Sequence, residues 1–138
     1  MKFFCAVTFL LSLASVAFAR EESILARVTS YWAGEGSNYA STGERLRAGH
    51  CAVDPNRIPY GSKVVFADGV CTAVDTGSAV VNRKAARLCG RTASQLKAIV
   101  VDRFFETKLE AMAWTNAHSE FMTLQIVPPG SHRDLTAP

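Results

Sequence analysis

Short apolar runs separated by turn residues form the main pattern of this chain. Runs of this kind, rich in Val, Ile and aromatic residues, are typical of half-buried β-strands. Gly, Pro, Asn and Asp residues lie between the runs, and the Asp68-Gly69 pair predicts a tight hairpin. The pattern therefore predicts a mainly β domain, a barrel or a sandwich, with strands at residues 24–32, 51–53, 63–66, 70–74, 98–101 and 121–127.

Two segments depart from the β pattern. Residues 79–89 combine small and apolar side chains with basic ones and end before Gly90, a favourable residue just after a helix. Residues 107–118 place Leu109 and Met112 on one stripe at helical spacing. We therefore predict one or two short helices beside the strands.

The first 19 residues have the composition of a secretory signal peptide. Lys2 precedes an apolar stretch over residues 3–14, and the Ala-Phe-Ala sequence at 17–19 is a small-residue cleavage site. The apolar stretch is too short for a comfortable membrane span. We expect a secreted or extracytoplasmic chain without an integral membrane segment, divided into a signal peptide at 1–19, one domain at 20–127 and a flexible tail at 128–138.

Charge and composition narrow the classes of partner. The formal net charge of the chain is +3, and about +2 once Lys2 is removed, which is too mild to favour nucleic acid or an anionic membrane. Basic runs with interleaved aromatic residues are not found either, so nucleic-acid binding is not expected. The histidines, cysteines and aspartates lack zinc-site spacing, so we expect no metal. We also expect no cofactor and a monomeric chain.

Three cysteines follow the predicted signal peptide, and an exported chain can hold a disulfide. The odd number leaves one thiol unpaired. In a strand, Cys51 alternates with Asp54, so Cys51 points into the core if Asp54 faces a cleft. That leaves Cys71 and Cys89 as the predicted disulfide, although connectivity is not fixed by sequence.

Three aspartates each follow a short apolar run ending in valine: Asp54, Asp75 and Asp102. We expect each to lie at the end or edge of a strand, where Asp is uncommon unless it has a function or caps a turn. Asp54 precedes Pro55, which also fits a turn, and Asp75 is equally consistent with a helix cap. Three such residues in one domain suggest carboxylates that are brought together.

Six motifs follow one another in a fixed order, at residues 29–31, 41–43, 49–55, 58–62, 73–77 and 101–105. Together they resemble the 3D domain, which is named for three aspartates and is found in membrane-bound lytic transglycosylase A and many secreted cell-wall proteins. The resemblance spans residues 26–127. It implies a six-stranded double-psi β-barrel, a fold related to rare lipoprotein A and the expansins.

The resemblance also implies a function, the cleavage of peptidoglycan or a related cell-wall glycan. Asp102 matches the catalytic acid of the family, and Asp75 and Asp54 match the other two aspartates. A lytic transglycosylase can use one carboxyl group, first as acid and then as base for the C6 hydroxyl of the sugar. The pKa of such an acid must be raised by burial or by a neighbouring carboxylate. For substrate contacts we expect Tyr31, Thr42, Gly43, His50, Tyr60, Thr76 and Gly77.

Two departures from the family keep other functions open. Residues 81–99 are longer than the matching segment of many members, and the domain that completes the sugar groove of the transglycosylase is not present in this sequence. A non-catalytic, expansin-like module that binds or loosens the wall would need the same groove without a titrating acid. A small secreted interaction protein would need only a stable barrel. For His50, an exposed loop residue is the alternative to a role beside Asp54.

Overall fold

Six β-strands close into a barrel in the computed structural model, which describes residues 20–131. Around the barrel the order is β1-β5-β2-β4-β3-β6, and β6 pairs with β1. The β1–β5 and β2–β4 pairs are parallel, whereas the other four are antiparallel. The fold is therefore a mainly β, mixed, six-stranded barrel, built from β1 (Glu22–Trp32), β2 (His50–Ala52), β3 (Lys63–Phe66), β4 (Gly69–Asp75), β5 (Ile99–Phe105) and β6 (Phe121–Val127).

The predicted strands are confirmed, with one extension that changes the position of Asp102. β5 continues to Phe105, so Asp102 lies inside the strand and not at its end. The hairpin predicted at Asp68 is also confirmed, because Phe66 and Gly69 are paired across it. The predicted signal peptide at 1–19 and residues 132–138 of the predicted tail lie outside the described residues.

Four short helices lie between the strands of the described chain, more than the one or two predicted. They are α1 (Ser78–Val81), α2 (Lys84–Cys89), α3 (Ala93–Lys97) and α4 (Lys108–Ala117). The helix predicted at 79–89 is divided into α1 and α2, because Arg83 adopts a left-handed conformation with φ of +52°. No helix within residues 20–131 is long and apolar enough to cross a membrane.

The cysteines correct one prediction. Cys51 and Cys71 are buried, and both belong to the apolar cluster that fills the barrel interior. Cys89 is exposed at the end of α2, outside the barrel wall. All three thiols are free, and the structure does not contain the predicted Cys71–Cys89 disulfide, because the two side chains lie on opposite sides of the wall. The predicted burial of Cys51 is confirmed.

One arginine fills an end of the barrel. The guanidinium of Arg103 lies 4.7 Å from the ring centroid of Phe66 and 5.0 Å from that of Trp114, within cation–π range. It also donates a hydrogen bond of 2.8 Å to Asp68, which accepts a second from Trp114 Nε1 at 3.0 Å. We call these four residues the Arg103 plug. The charge of Arg103 is paired with that of Asp68, so the plug links β5 to the β3–β4 hairpin.

Candidate active-site groove

An open groove of about 510 Å³ runs along the outer face of the barrel wall. This volume falls in the range usual for ligand sites. Outward-facing residues of β1 and β5 form its base, and the loop after β1 forms one side. Two of the three predicted aspartates, Asp75 and Asp102, line it together with Tyr31 and Thr76. The groove therefore brings together four of the predicted site residues.

Asp102 lies at the base of the groove, directly opposite Thr29 in the parallel β1–β5 pair. The Thr29 hydroxyl donates a hydrogen bond of 2.9 Å to Oδ1 of Asp102. Burial raises the pKa of Asp102 from 3.8 to about 6, and the charges of Glu35 and Asp75 add to the rise while the Thr29 hydrogen bond opposes it. The carboxyl group can therefore hold a proton in mildly acidic solution.

The second carboxylate, that of Asp75, is held by three donors at the end of β4. It accepts hydrogen bonds from the Tyr31 hydroxyl at 3.0 Å and from the backbone N–H groups of Ser41 at 2.8 Å and Thr76 at 2.9 Å. Burial, followed by the charge of Asp75, raises the pKa of Tyr31 above its ordinary value, so the phenol remains a donor. Asp75 thus joins β1, β4 and the loop after β1.

The three-residue strand β2 sets the spacing of the two aspartates. Ala52 is paired with Asp75 of β4 on one side and with Asp102 of β5 on the other. Neighbouring strands are about 4.8 Å apart, so the two aspartate Cα atoms are separated by roughly 10 Å across β2. The barrel therefore places both residues at one level of the wall.

Asp54 does not join this pair. Its Oδ1 accepts a hydrogen bond of 3.0 Å from the backbone N–H of Asn56, and its carbonyl accepts two more from Arg57 and Ile58. This is an Asx-turn, the structural alternative that Pro55 suggested. Asp54 is not among the residues that line the groove.

The predicted substrate-contact residues are divided by the structure. Thr42 donates a hydrogen bond of 2.8 Å to the carbonyl of Val74, and Gly43 turns the loop with φ of +87°, and neither residue lines the groove. The Tyr60 hydroxyl lies 3.3 Å from that of Ser41. Gly77 caps α1. Of the seven predicted, only Tyr31 and Thr76 line the groove.

His50 is placed differently from both sequence-based alternatives. It is 3% exposed on β2 and lies neither in a loop nor in the groove. Its Nε2 is 3.9 Å from a carboxylate oxygen of Glu44. Burial lowers the pKa of His50 below its ordinary value, which favours the neutral imidazole. His50 thus belongs to the packing of the wall.

Two groove residues that act directly on Asp102 were not found from sequence. Glu35 lies on the loop after β1, where Gly34 adopts φ of +89°, and its charge acts on Asp102. The Gly-Glu-Gly sequence gave only a turn signal. Thr29 belongs to a family motif but was not given a role. Its outward position follows from alternation with the buried Ala26 and Val28, which could have indicated it.

Within residues 20–131 no group of three or more His, Cys, Asp or Glu side chains is arranged to hold a metal ion. Comparison with known proteins does not assign the chain to a family. No protein-family model matches it, and no curated protein matches it either. The observations that bear on function are therefore the closed mixed barrel and the geometry of its groove.

Proposed function

We propose that this chain is a secreted 3D-type double-psi β-barrel that cleaves cell-wall glycan, in the manner of a lytic transglycosylase, with Asp102 as acid and base. One observation carries the proposal. A half-buried carboxyl group at the base of an open groove has a pKa raised to about 6, beside a second carboxylate. Strongly raised carboxyl pKa values in a groove are characteristic of general acids.

The positions of the family motifs support the same proposal. Motifs that are far apart in sequence converge on the groove: 29–31 supplies Thr29 and Tyr31, 41–43 supplies the Ser41 N–H, 73–77 supplies Asp75, and 101–105 supplies Asp102. The closed strand order with two parallel pairs is compatible with a double-psi barrel. Four of the six motifs thus contribute to the groove, whereas residues 49–55 and 58–62 do not line it.

In the proposed reaction Asp102 gives its proton to the glycosidic oxygen as the bond from that oxygen to C1 breaks. The carboxylate then accepts the proton of the sugar's C6 hydroxyl, whose oxygen bonds to C1, so Asp102 ends protonated and no water is consumed. The Thr29 hydroxyl donates its hydrogen bond to Oδ1 of Asp102. Within residues 20–131 Oδ2 of Asp102 accepts no hydrogen bond, so this oxygen is available to substrate. The negative charge of Asp75 would stabilise the oxocarbenium-like centre at C1.

The test is incubation of residues 20–138 with purified peptidoglycan, with mass spectrometry of the released sugars. We expect anhydro-muramyl ends from the wild type, and a loss of about 10²–10⁴-fold in Asp102→Asn, the range typical of general acid catalysis. Glu22→Gln, which removes an exposed carboxylate at the start of β1, is the matched control and should retain activity.

Two results would decide against the proposal. If Asp102→Asn is folded and cleaves as fast as wild type, the acid is another residue. If the wild type binds wall material but releases no sugar between pH 4 and 8, the groove is that of a wall-binding module.

A further inference from the structure

Basic side chains are concentrated on the three short helices between β4 and β5. The chain has 15 Lys and Arg residues and 12 Asp and Glu residues, yet residues 78–97 contain five of the basic residues and no acidic one. Four of the five are exposed, and within the described chain none of these four forms an ion pair: Lys84, Arg87, Arg91 and Lys97. The mild net charge of the whole chain therefore conceals a local cationic surface.

Aliphatic side chains are exposed among these cations. Val81 is 39% exposed, Leu88 74% and Leu96 43%. The opposite side of α1 and α2 is buried in an apolar cluster with β2 and β5, so the two helices have one face against the barrel wall and one in solvent. On the solvent face Lys84, Arg87 and Leu88 line one shallow depression. Apolar and cationic groups therefore lie side by side.

Contacts between the helices hold these groups on one surface. Arg83 donates a hydrogen bond of 3.0 Å to the carbonyl of Leu96, which joins the start of α2 to α3. After the last residue of α2, a Cβ on Gly90 would lie 2.9 Å from the Leu96 nitrogen, so the backbone at Gly90 approaches α3 closely. We call the exposed face of residues 78–97 the α1–α3 surface. It lies outside the six motifs, between the fifth and the sixth.

We propose that the α1–α3 surface docks on a membrane that contains anionic lipid. Exposed basic residues attract anionic headgroups, and exposed aliphatic side chains enter the boundary between the headgroups and the acyl chains. Leu88 favours lipid over other anionic partners. A soluble polyanion would leave this side chain in water, and a protein would need a pocket shaped to receive it, whereas a lipid boundary accepts a protruding side chain without such a pocket.

Docking would also place the groove close to the membrane. A hollow of about 280 Å³ is lined by Lys84 and Leu88 as well as by Asp102, so the α1–α3 surface adjoins the proposed acid. A chain docked through Leu88 would therefore hold Asp102 near the lipid headgroups. The inference goes beyond the cleavage of glycan and does not depend on it, because the cations and the exposed leucine attract lipid whether or not Asp102 is catalytic.

The test measures flotation of residues 20–138 with two kinds of vesicle, phosphatidylcholine alone and phosphatidylcholine mixed with phosphatidylglycerol. We expect binding to the anionic vesicles only, and weaker binding as salt is added. The double variant Lys84→Gln/Arg87→Gln should bind about 25-fold more weakly, which is about fivefold for each basic residue removed. Arg57→Gln removes an exposed cation from the loop after β2 and should bind as the wild type does.

A matched pair of leucine variants separates contact with lipid from attraction by charge. Leu88→Ser should weaken binding to the anionic vesicles about tenfold, because the exposed side chain leaves water on docking. Leu109→Ser is the control, since Leu109 is 81% exposed on α4 and lies outside the α1–α3 surface. It should bind as the wild type does.

Cys89 reports where the lipid lies. It is exposed and follows Leu88 directly, while Cys51 and Cys71 are buried, so a thiol-reactive dye whose emission depends on polarity should label Cys89. The emission should move to shorter wavelength with anionic vesicles and stay unchanged with phosphatidylcholine alone. This measurement uses the wild-type sequence, so it tests the inference even if a variant fails to fold.

Three results would overturn the inference: no binding to the anionic vesicles, equal binding to both kinds of vesicle, or equal losses in Leu88→Ser and Leu109→Ser. If Leu88→Ser binds the anionic vesicles as tightly as the wild type, the surface is a site for a polyanion or an acidic protein, and lipid contact is refuted. The outcome is separable from that of the proposed function, because flotation does not require cleavage.

Discussion

Replacing Asp102 by asparagine should stabilise the barrel in neutral and alkaline solution. Ionised Asp102 is unfavourable in the folded state because burial and the charges of Glu35 and Asp75 raise its pKa from 3.8 to about 6. Below pH 3.8 the group is protonated in both folded and unfolded chains, so no cost arises. As the pH rises from 3.8 to 6 the unfolded chain loses the proton first, and the folded state loses stability.

The magnitude follows from the two pKa values. Each pKa unit corresponds to about 1.4 kcal/mol, so the difference between 3.8 and about 6 costs the folded state roughly 3 kcal/mol at pH 8. Asparagine does not ionise, and its side-chain oxygen can still accept the hydrogen bond of Thr29. Asp102→Asn should therefore unfold at higher urea concentration than wild type at pH 8, with a difference that shrinks towards pH 4.

Urea unfolding followed by circular dichroism at one-unit steps from pH 4 to pH 8 measures this difference directly. Glu22→Gln reports the effect of removing one negative charge from the exposed surface, and its difference from wild type is subtracted. A stability difference that does not change with pH would show that ionisation of Asp102 does not lower the free energy of unfolding. The acid role proposed for it would then lose its physical basis.

Three further outcomes are expected. Glu35→Gln should lower the pKa of Asp102, because the negative charge of Glu35 contributes to raising it. The upper limb of the pH–rate profile should then move to lower pH, and a move to higher pH would contradict the charge argument. Gly90→Ala should destabilise the fold by about 1–3 kcal/mol in thermal unfolding, as overpacking typically does, because the added Cβ meets the backbone of Ala86. In the native protein a thiol reagent should modify Cys89 alone, and the two buried cysteines should react only after unfolding. A mature chain without free thiols would refute this expectation.

Strand positions could be read from the sequence because the barrel buries one face of each strand. Alternation predicted β1 and β6 well, since period-two patterns reflect the inside and outside of a wall. The end of β5 was missed because Asp102 and Arg103 interrupt the apolar run. Polar residues inside a strand are a common cause of such errors, and here they mark the groove and the Arg103 plug.

The sequence indicated Asp75 and Asp102 through the apolar run that precedes each of them, but it did not indicate the strand pairing that joins them. Asp75 and Asp102 meet because Ala52 is paired with both, a fact of barrel closure that no local pattern contains. Glu35 acts on Asp102 across a loop whose path depends on tertiary structure. The disulfide prediction failed for a related reason, because strand parity cannot tell that Cys89 lies outside the wall.

Alternation along β5 links the proposed acid, on the outside of the barrel wall, to a residue on the inside. Asp102 faces outward to the groove while its neighbour Arg103 faces inward to the plug, so a one-residue slip of β5 would exchange acid and cation. The contacts of the Arg103 plug therefore favour the register of β5 in which Asp102 faces the groove. Screens for loss of function should accordingly recover substitutions at Asp68 and Trp114, which do not line the groove.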